Sequence, residues 1–221
     1  MKRPQWITLA VAVVLTAALY FFGKTVPAKK TVAAPVEQHS PDDGHDHGAM
    51  SIDSILIMAK KQLKPAQAAV LDGLEAAVAK EKVKEEQVHI YHQLAKYWAD
   101  TARIFEPYAW YTGEGARLEN SEKSLTFAAR LFLENLQTDG SEQRRQWKAL
   151  QAKDLFERSL KINPDNDSAK IGLGACYLFG NISSNPLEGI AKIKEVVDRD
   201  STNVYGHLTL VKGSLLSGQY D

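Results

Sequence analysis

The chain has 221 residues, room for one ordinary domain plus an anchor and a linker. Lysine plus arginine and aspartate plus glutamate number 27 each, so no basic excess exists to displace counterions, and nucleic acid is excluded as a partner. The one cysteine, Cys176, excludes an intramolecular disulfide. Its apolar neighbours Ala175, Tyr177 and Leu178 mark it as a small buried side chain.

Residues 6–22 form an uncharged apolar run. As a helix the run reaches ~26 Å, near the lower limit for spanning a bilayer. Trp6 and Tyr20 sit near its ends, where aromatic rings favour the interface, and Lys2 and Arg3 precede it. These features predict a single-pass anchor over residues 1–23 with a cytoplasmic N-terminus. Lys24, Lys29 and Lys30 argue weakly for the opposite orientation. A cleaved signal is the alternative, with Val26, Pro27 and Ala28 as the cleavage region. Bulky Tyr20, Phe21 and Phe22 favour retention, and no cysteine stands here for lipidation.

Residues 24–51 are rich in proline, glycine, alanine and charge and lack apolar periodicity. They read as a flexible tether. His39, His45 and His47 lie in it beside Asp42, Asp43 and Asp46. They are the weak candidates for Zn²⁺, Ni²⁺ or Cu²⁺. A tether supplies no rigid support for a metal, so the segment is read as a solvated spacer and no cofactor is expected.

Helical periodicity begins after Ser51. Ile52, Ile55, Leu56, Ala59 and Leu63 recur at three-and-four spacing. Pro65 suits the first position of a second helix, where its missing N–H costs nothing. Ala69, Leu71, Leu74 and Val78 supply that helix with an apolar face. Residues 52–85 are thus N-terminal helices, and no alternating strand pattern occurs anywhere.

Residues 86–221 repeat themselves. One signature has steps of three, one and three: Tyr91, Leu94, Ala95, Trp98; then Leu125, Ala128, Ala129, Phe132; then Lys170, Leu173, Gly174, Tyr177; then His207, Leu210, Val211, Ser214. A second has steps of four, three and five: Ala109, Gly113, Ala116, Ser121; then Ala152, Phe156, Ser159, Pro164; then Gly189, Ile193, Val196, Ser201. Small residues let two helix axes approach closely, and large ones fill the space beside them. Pro164 stops one helix and Asp165-Asn166 turns the chain.

These signatures, with the NPDN run at residues 163–166, resemble the tetratricopeptide-repeat (TPR) family, whose pitch is about 34 residues. The units start at Tyr91, Leu125, Lys170 and His207, which are 34, 45 and 37 residues apart. The resemblance implies an all-α fold, an α–α superhelix of helical hairpins. About eleven extra residues around 137–151 depart from the pattern, with a break at Asp139-Gly140 and a restart at Ser141 and Glu142. Ser183, Ser184, Asn185 and Pro186 are inserted in the third unit. Val211 stands where glycine or alanine is usual, which predicts looser packing. The closing Gly-Gln-Tyr-Asp matches the turn before a repeat's second helix. This implies an incomplete last repeat with an uncovered face at residues 205–216, hence a shortened form or self-association.

Carried over by spacing, the inner face of the repeats holds His89, His92, Lys96, Lys123, Thr126, Arg130, Ile171, Ala175, Leu178, Phe179, Tyr205, Leu208 and Lys212. Its early part is basic and its later part apolar, a groove for a protein or peptide segment. The chaperone-tail adaptors of the family need paired lysine and asparagine, whereas Lys96, Arg130, Ala175 and Lys212 stand at those places. His89 and His92 share one helix face without a suitably spaced third ligand. No phosphate loop, G-x-S-x-G or C-x-x-C occurs, and the Gly172–Gly174 pair belongs to helix packing. The expectation is a non-enzymatic scaffold in the bacterial inner membrane with repeats facing the periplasm. It resembles single-span TPR proteins of envelope or cytochrome assembly. The alternatives are a metal module using the histidines and a TPR regulator facing the cytoplasm.

Overall fold

The structure is a computed structural model in which residues 50–183 and 185–217 are described. Nine α-helices and one π-helical turn make up the regular structure of these residues, with no strand among them. The fold class is all-α, as the periodicity predicts. None of the described helices is long and apolar enough to cross a membrane. The expected anchor at residues 6–22 and the histidines His39, His45 and His47 lie outside the described residues.

Local chemistry sets the helix starts. The Ser51 hydroxyl accepts from the Ser54 N–H at 3.2 Å and caps α1 (Ile52–Lys60). Pro65 is the first residue of α2 (Pro65–Lys80). Helix α3 (Lys84–Lys96) runs into a π-helical turn, Tyr97–Ala102, which closes on Arg103 in the left-handed region at φ 57°. The signature at Tyr91, Leu94, Ala95 and Trp98 gives no sign of this turn. Helix α4 (Phe105–Glu119) ends on Asn120, also left-handed at φ 55°. Asparagine tolerates that conformation better than most residues.

Ser121 caps α5 (Glu122–Leu136) and Ser141 caps α6 (Glu142–Ile162), so the break and restart at residues 139–142 occur as expected. Asn166 caps α7 (Asp167–Phe179), its Oδ1 accepting from the Ala169 N–H at 2.9 Å. Helix α8 (Leu187–Arg199) follows the insertion, and α9 (Val204–Ser217) follows Asn203.

Each helix packs on the next from α2 to α9, most extensively in the pairs α3/α4, α5/α6 and α7/α8. Alternate helices also touch: α5 with α7, α7 with α9, α4 with α6. The repeat signatures form the core. Leu125, Ala128, Ala129 and Phe132 of α5 are fully buried, as are Ala152, Phe156 and Ser159 of α6. The fourth signature departs from this, because Val211 and Ser214 are exposed.

Glycines set the closest approaches. A Cβ on Gly174 would lie 2.6 Å from the Gly189 carbonyl oxygen, so α7 and α8 meet backbone to backbone. On Gly172 it would fall 2.2 Å from the Phe156 ring. The Gly172–Gly174 pair is thus a packing feature. Cys176 is fully buried beside them, and burial pushes its thiol far up.

Candidate functional site

The seams between α5, α7 and α9 hold three adjoining cavities, of about 520, 230 and 340 Å³. Arg130 and Glu134 line both the first and the second. Gln137 and Lys212 line both the second and the third. The three therefore form one groove, running from Lys123 and Asn166 past Tyr205 to Phe179 and Leu216.

Helical periodicity aims these side chains. Lys123, Thr126 or Phe127, Arg130 and Glu134 follow at steps of three or four along α5, with Gln137 just past its end, so they share one face. Leu208 and Lys212 are four apart on α9. Phe127 is 59% exposed and Leu208 50% exposed, and both place apolar surface in the groove lining.

The charge of the groove is basic. Lys123, Arg145 and Lys212 form no ion pair among the described residues. Arg130 pairs loosely with Glu134 at 3.3 Å and stands 5.9 Å from the centre of the Tyr205 ring. Burial raises the Tyr205 phenol, and Arg130 opposes that shift. Beneath the first cavity the Thr126 and Ser159 hydroxyls meet at 2.7 Å. The Asn166 amide donates to Thr126 at 3.1 Å and also to the Glu122 carboxylate. This end of the floor is consequently rigid and polar.

Eight of the residues expected by spacing line the groove: Lys123, Thr126, Arg130, Ala175, Phe179, Tyr205, Leu208 and Lys212. Two belong to the core instead. Ile171 is 1% exposed and packs with Ile193, Val196 and Val197, and Leu178 packs partly buried against the same cluster. The reason is that α7 has neighbours on nearly every side, α5, α6, α8 and α9, which leaves it little free face. His89, His92 and Lys96 are exposed on α3 and line none of these cavities. The His92 ring lies over Gly115 of α4. No group of three or more His, Cys, Asp or Glu side chains among the described residues is placed to hold a metal.

Phe127, Gln137 and Arg145 are groove residues absent from the face carried over from the resemblance. Extending the Lys123–Arg130 face by helical steps reaches Phe127 and Gln137. Arg145 enters only because α6 starts beside the end of α5. Glu114 meets Arg117 at 2.8 Å, an ion pair and not an acid–base couple. The chain matches no protein-family model, no curated protein and no solved structure.

Proposed function

We propose that this chain is a TPR-type interaction scaffold, without catalytic activity, that holds a segment of a partner protein in the α5–α7–α9 groove. The observation that carries this reading is the groove itself. Three cavities share their lining, exposed Phe127 and Leu208 offer apolar anchorage, and three cations stand unpaired beside them. Such a surface suits an extended or helical segment that presents apolar side chains and carboxylates. Side-by-side packing of repeated helix pairs, with small residues at the crossings, supports the family reading. In the same proposal residues 6–22 anchor the chain in the bacterial inner membrane, with the repeats in the periplasm. Assembly of the envelope or of cytochromes is the role that the resemblance suggests, by analogy of fold alone.

A photo-crosslinking amino acid at Phe127 or Leu208 of the full chain tests the groove in intact cells. Discrete protein adducts are expected, absent from a control at exposed Lys161 and lost on Arg130→Glu. Adducts indistinguishable from those at Lys161 would refute the groove. A reporter fused after Asp221 tests the orientation.

A further inference from the structure

A second concave site lies away from the groove. Helices α1, α2, α3 and α4 enclose a cleft of about 500 Å³. Tyr91, Trp110 and Tyr111 line it from α3 and α4, and Leu56 and Ile57 from α1. Tyr91 and Tyr111 stack with ring centres 6.4 Å apart. Asp53, Glu75 and Glu114 stand in the lining with a single lysine, Lys60.

The internal cations do not balance these carboxylates. Lys60 reaches Glu75 at 2.5 Å and Asp72 at 3.0 Å. Arg117 reaches Glu114 at 2.8 Å, but it is also held by Asp154 at 2.8 Å. Asp53, Asp72, Glu75 and Glu114 thus share Lys60 and part of Arg117, and Asp53 has no side-chain partner among the described residues. The tyrosines register the excess. Burial raises both phenols, and the carboxylates Glu114 and Glu75 raise them further.

Aromatic faces beside unbalanced carboxylates attract a flat organic cation. The protein already uses this pairing beside the cleft, with the Arg117 guanidinium 5.5 Å from the centre of the Trp110 ring. We infer that the cleft is a second binding site and that it takes an arginine side chain of a partner protein. A guanidinium fits better than an ammonium, because it stacks on a ring while donating two bonds to a carboxylate. A peptide-borne cation fits better than a free amine, because Ile57 leaves an apolar wall 55% exposed that a neighbouring apolar side chain would cover. The site is independent of the basic groove and has the opposite charge.

Fluorine NMR of the full chain labelled with 5-fluorotryptophan tests it, since of the four tryptophans Trp110 lines the cleft, Trp98 and Trp147 are buried, and Trp6 lies outside the described residues. Trp110→Phe assigns the resonance. Acetyl-Leu-Arg-Leu-amide should shift the Trp110 signal alone and saturably, with Kd on the order of 1 mM. Asp53→Asn, which leaves the helix and its packing intact, should weaken binding about fivefold. Acetyl-Leu-Lys-Leu-amide and argininamide should each bind severalfold more weakly, and acetyl-Leu-Glu-Leu-amide should leave Trp110 unmoved. Absence of a saturable shift, or equal shifts from the arginine and glutamate peptides, would overturn the site. Equal affinity for the lysine peptide or for argininamide would overturn the assignment of a peptide-borne arginine. Unchanged affinity in Asp53→Asn with an unchanged circular dichroism spectrum would overturn the electrostatic argument.

Discussion

Lys148 of α6 and Asp139 of the preceding loop meet at 2.5 Å, with side chains 1% and 4% exposed. Glu106 of α4 reaches the same ammonium at 2.9 Å, and Asn135 of α5 accepts from it at 2.6 Å. Arg144 covers Asp139 at 2.8 Å. The segment around residues 139–148 thus supplies an ionic knot that ties the start of α6 to α4 and α5. The price of such a knot is desolvation, so its worth depends on every member being present.

Lys148→Met should destabilise the protein by about 3 kcal/mol, because it removes the ammonium from buried Asp139 and partly buried Glu106. Arg144 keeps the loss near the lower end of the range for broken buried pairs. Adding Glu106→Gln and Asp139→Asn should restore most of the stability. Urea unfolding of the single and triple variants measures both changes.

Asp139 also predicts an acid dependence. Burial alone would raise its carboxyl, but Arg144, Lys148 and the Ser141 N–H outweigh burial and hold it well below the usual range. A folded-state value below the unfolded one stabilises at neutral pH, and that contribution is lost as pH falls below about 4. Between pH 6 and pH 3, an interval chosen around the roughly 3.9 of a free aspartate, the urea midpoint should fall more steeply for the natural chain than for Asp139→Asn. Parallel curves would show that Asp139 carries no such linkage.

Gly174→Ala separates helix propensity from packing. Alanine favours an isolated helix by about 1 kcal/mol over glycine. At this position the added methyl meets the Gly189 backbone oxygen, which no side-chain rotation can relieve. The expected result is a net loss of roughly 1–3 kcal/mol. Gly73 of α2 has nothing within 4 Å of the same methyl, so Gly73→Ala should stabilise by up to ~1 kcal/mol. Thermal melts of the two variants should move in opposite directions.

Asn166→Asp tests the network under the groove. Aspartate caps a helix about as well as asparagine. Here, however, the amide donates to Glu122 and Thr126, and a carboxylate would face Glu122 as a like charge. Asn166→Asp should therefore lose about 1–2 kcal/mol at pH 7, despite keeping the cap. The loss should shrink on acidification to pH ~4, where carboxylates begin to protonate.

Much of the helix plan was legible from local chemistry. Pro65, Ser141 and Asn166 announce helix starts because each acts on backbone groups within a few residues of itself. The small residues Ala128, Gly174 and Gly189 announce close crossings because only small side chains permit them. The groove was legible in part. Lys123, Arg130 and Lys212 follow from spacing on exposed faces, whereas Ile171 and Leu178 do not, because spacing along one helix is blind to how many neighbours surround it. The π-helical turn at Tyr97–Ala102 left no mark that a three-and-four pattern could reveal.

What the residue order settled alone is the all-helical class, the positions of most helix ends and the pairing periodicity, all consequences of interactions spanning a turn or two. Partnerships across dozens of positions came only with the packed chain. Lys148 with Glu106, Tyr111 with Glu75, and the adjoining cavities of α5, α7 and α9 each join groups with no local relation. Charge and shape at a surface depend on which helices come to lie side by side, and only the three-dimensional arrangement decides that.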